Sequence, residues 1–152
     1  MIFNRTQNDV NDAIKIRNEK IQTFQLLTES DIAILEKGTM TIDTLNRIED
    51  KQKLLKELFN EMGYWNTPTE NKTWDYSQIF DEAEFQRIID NTNVLRDAFF
   101  VYKDTPNTPP ISYHYEDINA LEKILYDLGE MVKDVEDHYR ECNDFECGEE
   151  QS

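Results

Sequence analysis

The chain has 152 residues and sets 32 Asp and Glu against 16 Lys and Arg, a formal net charge of −16. A surplus that large works against direct nucleic-acid binding, which needs Lys and Arg to displace phosphate counterions, and against a polybasic membrane-surface mode. The length suits one domain, and although only 38% of residues are hydrophobic, eight Phe, seven Tyr and two Trp supply bulk for a core.

The opening, Met1 to Thr6, turns polar at once and lacks the apolar run of a secretory leader. No stretch reaches the roughly eighteen apolar residues needed to cross a bilayer. Apolar residues recur at three and four, the helical period, so the fold class expected is all-α, with about five helices. A first helix follows Thr6, with Thr6 and Asp9 placed as a capping box, and Val10, Ala13, Ile14, Ile21 and Phe24 sharing its inner face. Thr28 to Asp31 opens a short second helix, which Gly38 ends in a left-handed cap. Thr41 or Asp43 starts a third, striped by Ile42, Leu45, Ile48, Leu55, Leu58, Phe59 and Met62, interrupted by Gln52 and closed by Gly63.

Tyr64 to Phe80, carrying Trp65, Pro68, Trp74 and Tyr76, reads as an ordered, aromatic-rich irregular connection lying across the helices. A fourth helix begins at Asp81–Glu84 and is lined by Phe85, Ile88, Ile89, Leu95 and Phe99, with Thr92 between them. Thr105 to Pro110 breaks any helix and reads as a stiff linker. The fifth helix starts near Ser112–Glu116 and carries Ile118, Leu121, Ile124, Leu125, Leu128, Met131, Val132 and Val135; Gly129 weakens its middle by about 1 kcal/mol. From Asp134 to Ser152 there are eight acids and a single base, Arg140. The expected organisation is one helical domain over 1–140, with possible sub-units 1–63 and 64–140, and an acidic tail over 141–152.

Leu45-Asn46-Arg47-Ile48-Glu49 echoes Ile118-Asn119-Ala120-Leu121-Glu122 as apolar-Asn-x-apolar-Glu near the start of each long helix. Two related helical hairpins packed together would explain the echo, and so would the preference of helix first turns for Asn and Glu.

The sequence offers no candidate catalytic, cofactor or metal residues. Four scattered glycines cannot form a phosphate-binding loop. His114 sits between Tyr113 and Tyr115 and reads as part of an aromatic cluster. His138, Cys142 and Cys147 lack both the fourth ligand and the spacing of a zinc site, and the two cysteines read as free thiols or a labile local disulfide. Tyr64, Trp65, Trp74, Tyr76, Tyr102, Tyr113 and Tyr115 either fill the gap where loops cross the helix ends or anchor a protein partner.

Several stretches occur in a telling order: Asn4-Arg5-Thr6-Gln7-Asn8-Asp9-Val10, Leu45-Asn46-Arg47-Ile48-Glu49, Thr73-Trp74, Leu95-Arg96, Leu121-Glu122-Lys123-Ile124-Leu125, and Arg140-Glu141-Cys142 with Phe145-Glu146-Cys147-Gly148-Glu149. In order and spacing they resemble a small domain of bacteriophage and prophage tail or minor structural proteins. The resemblance runs over nearly the whole chain and carries no catalytic motif. It implies a non-enzymatic virion protein, a tail, baseplate or fibre-associated component made in the host cytoplasm, without cofactor, nucleic acid or membrane. Its partners would be other virion proteins in a homo- or hetero-oligomeric assembly. Tyr64–Phe80 and Lys103–Ser112 depart from the family pattern. The candidate partner contacts are Phe3, Arg5, Tyr64, Trp65, Trp74, Tyr76, Tyr113, Tyr115 and Phe145. Two other classes are open on the sequence: an acidic DNA mimic that inhibits a host defence enzyme, and a host-encoded helical adaptor. Trimming Glu141–Ser152 is expected to spare the fold and weaken attachment.

Overall fold

The computed structural model describes residues 1–66, 68, 70–112 and 114–149, of which 140–149 are described by their helical backbone. The described residues form five α-helices and no strand: α1 (Gln7–Ile16, continued by a π-helical turn at Arg17–Ile21), α2 (Glu29–Gly38), α3 (Ile42–Glu61), α4 (Glu82–Ala98) and α5 (Tyr115–Glu149). Their starts are fixed by short polar side chains. Thr6, Thr28 and Thr41 each accept from the N–H three residues on, in reciprocal capping boxes with Asp9, Asp31 and Thr44, and Asp81 accepts from Glu84 N–H. Gly63, at φ 88, ends α3 in a conformation that costs glycine nothing.

α1 and α2 form an antiparallel hairpin, tied near its tip by Lys20 to Asp31 and near its base by Lys37 to Asp9 at 3.2 Å. The helices can approach because Gly38 has no side chain: a Cβ there would meet the Asp9 carbonyl and lie 2.5 Å from the Ala13 Cβ. Gly38 is thus the last residue of α2 in close packing, and the left-handed cap expected for it is not formed.

The three longer helices are arranged differently from the expected hairpins. Arg47, early in α3, reaches Glu122, early in α5; Lys51 lies over Gly129; and Met62 and Tyr64 meet Val135 and Tyr139 at the far end. From α4, Arg87 reaches Glu49, Ile88 and Thr92 meet Gln52, and Phe99 stacks on Phe59 at 4.6 Å. α3, α4 and α5 therefore run parallel. A twenty-residue helix is about 30 Å long, so a parallel successor needs a chain that comes all the way back. That requirement explains the two long connections. The first descends α3, with Asn66 bonded to Asn60, Asn71 to Gln52 and Trp74 to Asn46. The second descends between α4 and α5, with Tyr102 bonded to Asp134, Thr105 to Asp127 at 2.8 Å and Thr108 to Asn93 at 3.0 Å.

All three parallel helices feed one core, in which Leu45, Ile48, Leu55 and Phe59 meet Ile88 and Leu95, and Ile124, Leu125, Leu128 and Val132. Trp74 and Phe99 from the connections complete it, and a smaller cluster of Phe85, Ile89, Ile118 and Leu121 closes the end where the helices begin. The core crosses the expected 63/64 division. The two polar interruptions of the apolar stripes find each other: the Gln52 amide donates to Thr92 Oγ1 and to the Ile88 carbonyl, each at 2.8 Å. Of the five residues expected to line the inner face of α1, Ala13 is buried and Val10 half-buried, while Ile14, Ile21 and Phe24 face solvent. The hairpin is tied to the body near its base, through Glu36 and Arg47, and towards its tip α1 packs on α2 alone.

Candidate protein interface and the clamps that hold it

The sequence echo has a mechanical meaning. The Asn46 side chain accepts from Trp74 N–H at 2.6 Å and donates to the Trp74 carbonyl at 3.0 Å. The Asn119 side chain does the same to Arg5, accepting from its N–H at 3.1 Å and donating to its carbonyl at 3.0 Å. Each asparagine is the fifth residue of its helix and grips the backbone of an extended segment from another part of the chain. One turn further on stands a fully buried glutamate. Glu49 accepts from Arg87, from the Trp74 indole at 3.0 Å, from Lys72 N–H at 3.1 Å and from Asn71 at 2.8 Å. Glu122 accepts from Arg5 at 2.9 Å, from Ile2 N–H at 2.8 Å and from Arg47 at 2.8 Å. The segment preceding α1 is thereby held by α5, and the segment preceding α4 is held by α3. The arrangement is reciprocal.

The two clamps differ in quality. Burial alone would push the Glu49 carboxyl up, but hydrogen bonds from Arg87, Asn71, Trp74 and the Lys72 backbone outweigh it and hold the group below its ordinary value. Arg87 answers in kind: burial opposes its charge, while Glu49 and Glu84 raise its affinity for the proton. Arg5 is held less completely, since its Nε and Nη2 are buried and find no hydrogen-bond partner among the described residues. Glu122 keeps Arg47 as a second cation, which in turn reaches Glu36 at 2.7 Å and so ties the α1–α2 hairpin to the body.

These bonds decide which of the expected contact residues reach a partner. Arg5 and Trp74 do not, because both are 5% exposed or less and spend their polar groups inside the chain. Phe3 is half-buried, its ring 5.1 Å from Tyr126 and 5.4 Å from the Lys123 ammonium. Tyr64 packs edge-on against Phe99 at 4.8 Å. Tyr115 is half-buried at the rim of a cleft of about 520 Å³ shared with Met40, Phe80, His114 and Ile118. Trp65 and Tyr76 stand free, 82% and 97% exposed. Tyr113 and the side chain of Phe145 lie outside the described residues, as do the side chains of Cys142 and Cys147 and those of the acidic tail.

One exposed apolar surface was not among the expected contacts. At the hairpin tip Phe24 and Leu26 are 96% and 94% exposed, flanked by Ile21, Leu27 and Ile32. Phe24 also adopts φ 54, a left-handed conformation disfavoured for a bulky residue. The sequence contained a signal in the run Phe24-Gln25-Leu26-Leu27, of which the stripe of the first helix takes only Phe24. Beside the end of α3 and along the second half of α5 another surface opens, where Met131, Val135, His138 and Tyr139 line a shallow groove of about 420 Å³ continued by Met62 and Tyr64.

Among the described residues no group of three or more His, Cys, Asp or Glu could hold a metal ion, and no helix is long and apolar enough to cross a membrane. No protein-family model matches the sequence, nor does a curated protein or a solved structure.

Proposed function

We propose that this chain is a non-enzymatic structural component of a bacteriophage particle, in the tail, baseplate or an attached fibre, and that it works by protein–protein assembly. The observation that carries the assembly part is the hairpin tip. Five large apolar side chains are held clear of the body on a hairpin anchored by ion pairs, where a monomer would gain nothing from them. Partner burial is the physical reason to keep such a surface.

The virion part rests on the resemblance, and the structure gives its motifs a common use. Arg5, Asn46, Glu49 and Glu122 form the clamps, Thr6 and Asp9 cap α1, Leu45, Ile48, Leu95 and Leu121 are core, and Arg96 donates to the Pro106 carbonyl at 3.1 Å. Motifs that fasten a fold and leave its exposed surface free to vary suit a body whose neighbours differ from particle to particle. If the reading is right, the protein co-purifies with intact particles at a fixed copy ratio through density-gradient centrifugation. Presence in infected-cell lysate but not in particles would overturn it.

A further inference from the structure

The hairpin tip presents apolar side chains where the chain is least able to bury them itself. With a large side chain offering about 150–250 Å² when bare, the exposed fractions of Ile21, Phe24, Leu26, Leu27 and Ile32 amount to about 600 Å². Two such tips face to face would cover about 1,200 Å², the lower edge of a specific protein contact, and the exposed Thr23 and Gln25 among them add to it. Phe24 turns the chain at φ 54, where Gly or Asn would sit at less cost. A bulky ring kept in that conformation, and in water, points to burial against a second molecule.

Charge narrows what that molecule is. Residues 17–32 hold two bases and three acids, so the other fourteen bases and 29 acids carry a charge of −15. Two bodies with that surplus repel one another at close range. α1 and its π-helical turn run from Gln7 to Ile21, which sets the tip about 20 Å from the hairpin base. That is about twice the screening length in physiological salt, and two arms joined at their ends double the gap. A neutral or basic neighbour can be met on the body itself. An arm is needed where the neighbour carries the same charge.

We infer that the tips of two copies pack face to face about a two-fold axis, Phe24 and Leu26 of each against those of the other, with the acidic bodies held apart. An isologous contact of this kind uses one patch on both copies and closes at two. The inference rests on the assembly reading above and gives it a building unit, a pair of chains.

Three forms of the full chain test it. Beside the parent, Phe24→Asn removes the ring and suits the left-handed backbone, so its circular dichroism should match the parent's. Gln25→Cys, made together with Cys142→Ser and Cys147→Ser, places a single thiol at the tip of each copy. Sedimentation equilibrium of the parent should show dimers and nothing larger. These should hold or strengthen as salt rises from about 0.05 M to about 0.5 M, because salt screens the repulsion and spares the apolar contact. Phe24→Asn should raise the dimer dissociation constant by about tenfold or more. Copper–phenanthroline oxidation should link the Gln25→Cys chains into covalent dimers, and adding Phe24→Asn to that chain should abolish the link. A parent that is monomeric at every concentration and salt overturns the inference; stoichiometric incorporation into particles would then still uphold the assembly reading and leave the tip to a different virion protein. Dimers that dissociate as salt rises, that survive Phe24→Asn unchanged, or whose Gln25→Cys tips do not cross-link overturn the tip-to-tip contact. Oligomers beyond two overturn its two-fold closure.

Discussion

Replacing Glu49 by Gln changes one oxygen for one NH2 and almost nothing in volume, so its effect isolates the charge. Glu49 is wholly buried and takes hydrogen bonds from both terminal nitrogens of Arg87, the Trp74 indole, the Asn71 amide and the Lys72 backbone. A glutamine keeps one acceptor oxygen and turns two donors toward groups that are themselves donors. It also leaves the Arg87 guanidinium, 12% exposed, without its buried counter-charge. Removing one member of a buried pair costs about 3–5 kcal/mol, against a total stability for a domain of about 5–15 kcal/mol. At about 2–4 °C per kcal/mol for a chain of this size, Tm should fall by about 6–20 °C. Urea unfolding followed by tryptophan fluorescence reads this directly, because Trp74 is buried against Glu49; Trp65→Phe removes the exposed second fluorophore. The double variant Glu49→Gln with Arg87→Met should recover part of the loss, since it removes the uncompensated charge and keeps an acceptor oxygen for the remaining donors. A Glu49→Gln protein within about 1 kcal/mol of the parent would refute the reasoning.

Acid should act through the same group. Glu49 is held below its ordinary value of 4.5 in the folded chain, so its contribution is complete above that pH and is lost as pH falls through the lower folded value. Stability measured against pH should therefore drop on the acid side of about 4.5, and Glu49→Gln should flatten that drop. Arg5→Met should cost about 1–2 kcal/mol and Arg87→Met about 3–5 kcal/mol, because Arg5 leaves two donors unpaired and Glu122 retains Arg47; equal costs by urea titration would contradict the difference between the clamps. Gly38→Ala should prise α1 from α2, speeding amide hydrogen exchange across both while α3 and α5 stay protected. Deleting residues 141–152 should leave Tm within a few degrees, because the core ends at Val132 and Val135; a collapse of Tm would show that the segment holds the body together.

Local signals in this sequence were easily read, and direction was not. Thr6, Thr28, Thr41 and Asp81 start helices because a short oxygen can reach an orphan N–H whatever lies beyond, and Gly63 ends α3 for an equally local reason. The stripe from Leu45 to Phe59 is buried as its period requires. Apolar spacing is the same for parallel and antiparallel neighbours, however, so the sense in which α3, α4 and α5 pack is invisible to it. Connection length was the available clue: an antiparallel pair needs a few residues, and the chain spends some twenty between Glu61 and Glu82. Phe24 failed as a core residue because periodicity marks a face as apolar without saying whether anything covers it. For Asn46 and Asn119 the sequence offers a repeated hairpin or a first-turn preference, and neither points to their partners, Trp74 and Arg5, 28 and 114 residues away. Gln52 and Thr92 looked like flaws in two stripes and proved to be one hydrogen bond.

The reciprocal clamp also sets an order of events during synthesis. Arg5 leaves the ribosome 114 residues ahead of Asn119 and 117 ahead of Glu122, its receptor. At about 5–20 residues per second the leading segment waits several seconds or more before its own site exists. The opposite clamp is ready far sooner, since Asn46 and Glu49 are already made when Trp74 arrives. One half of the body can therefore close while the other stays open, with the α1–α2 hairpin tethered only by its own contacts. On a crowded polysome the open α5 of one nascent chain faces the idle leading segments of its neighbours. Exchange of these segments between chains would then be a matter of timing, decided before any of them is released.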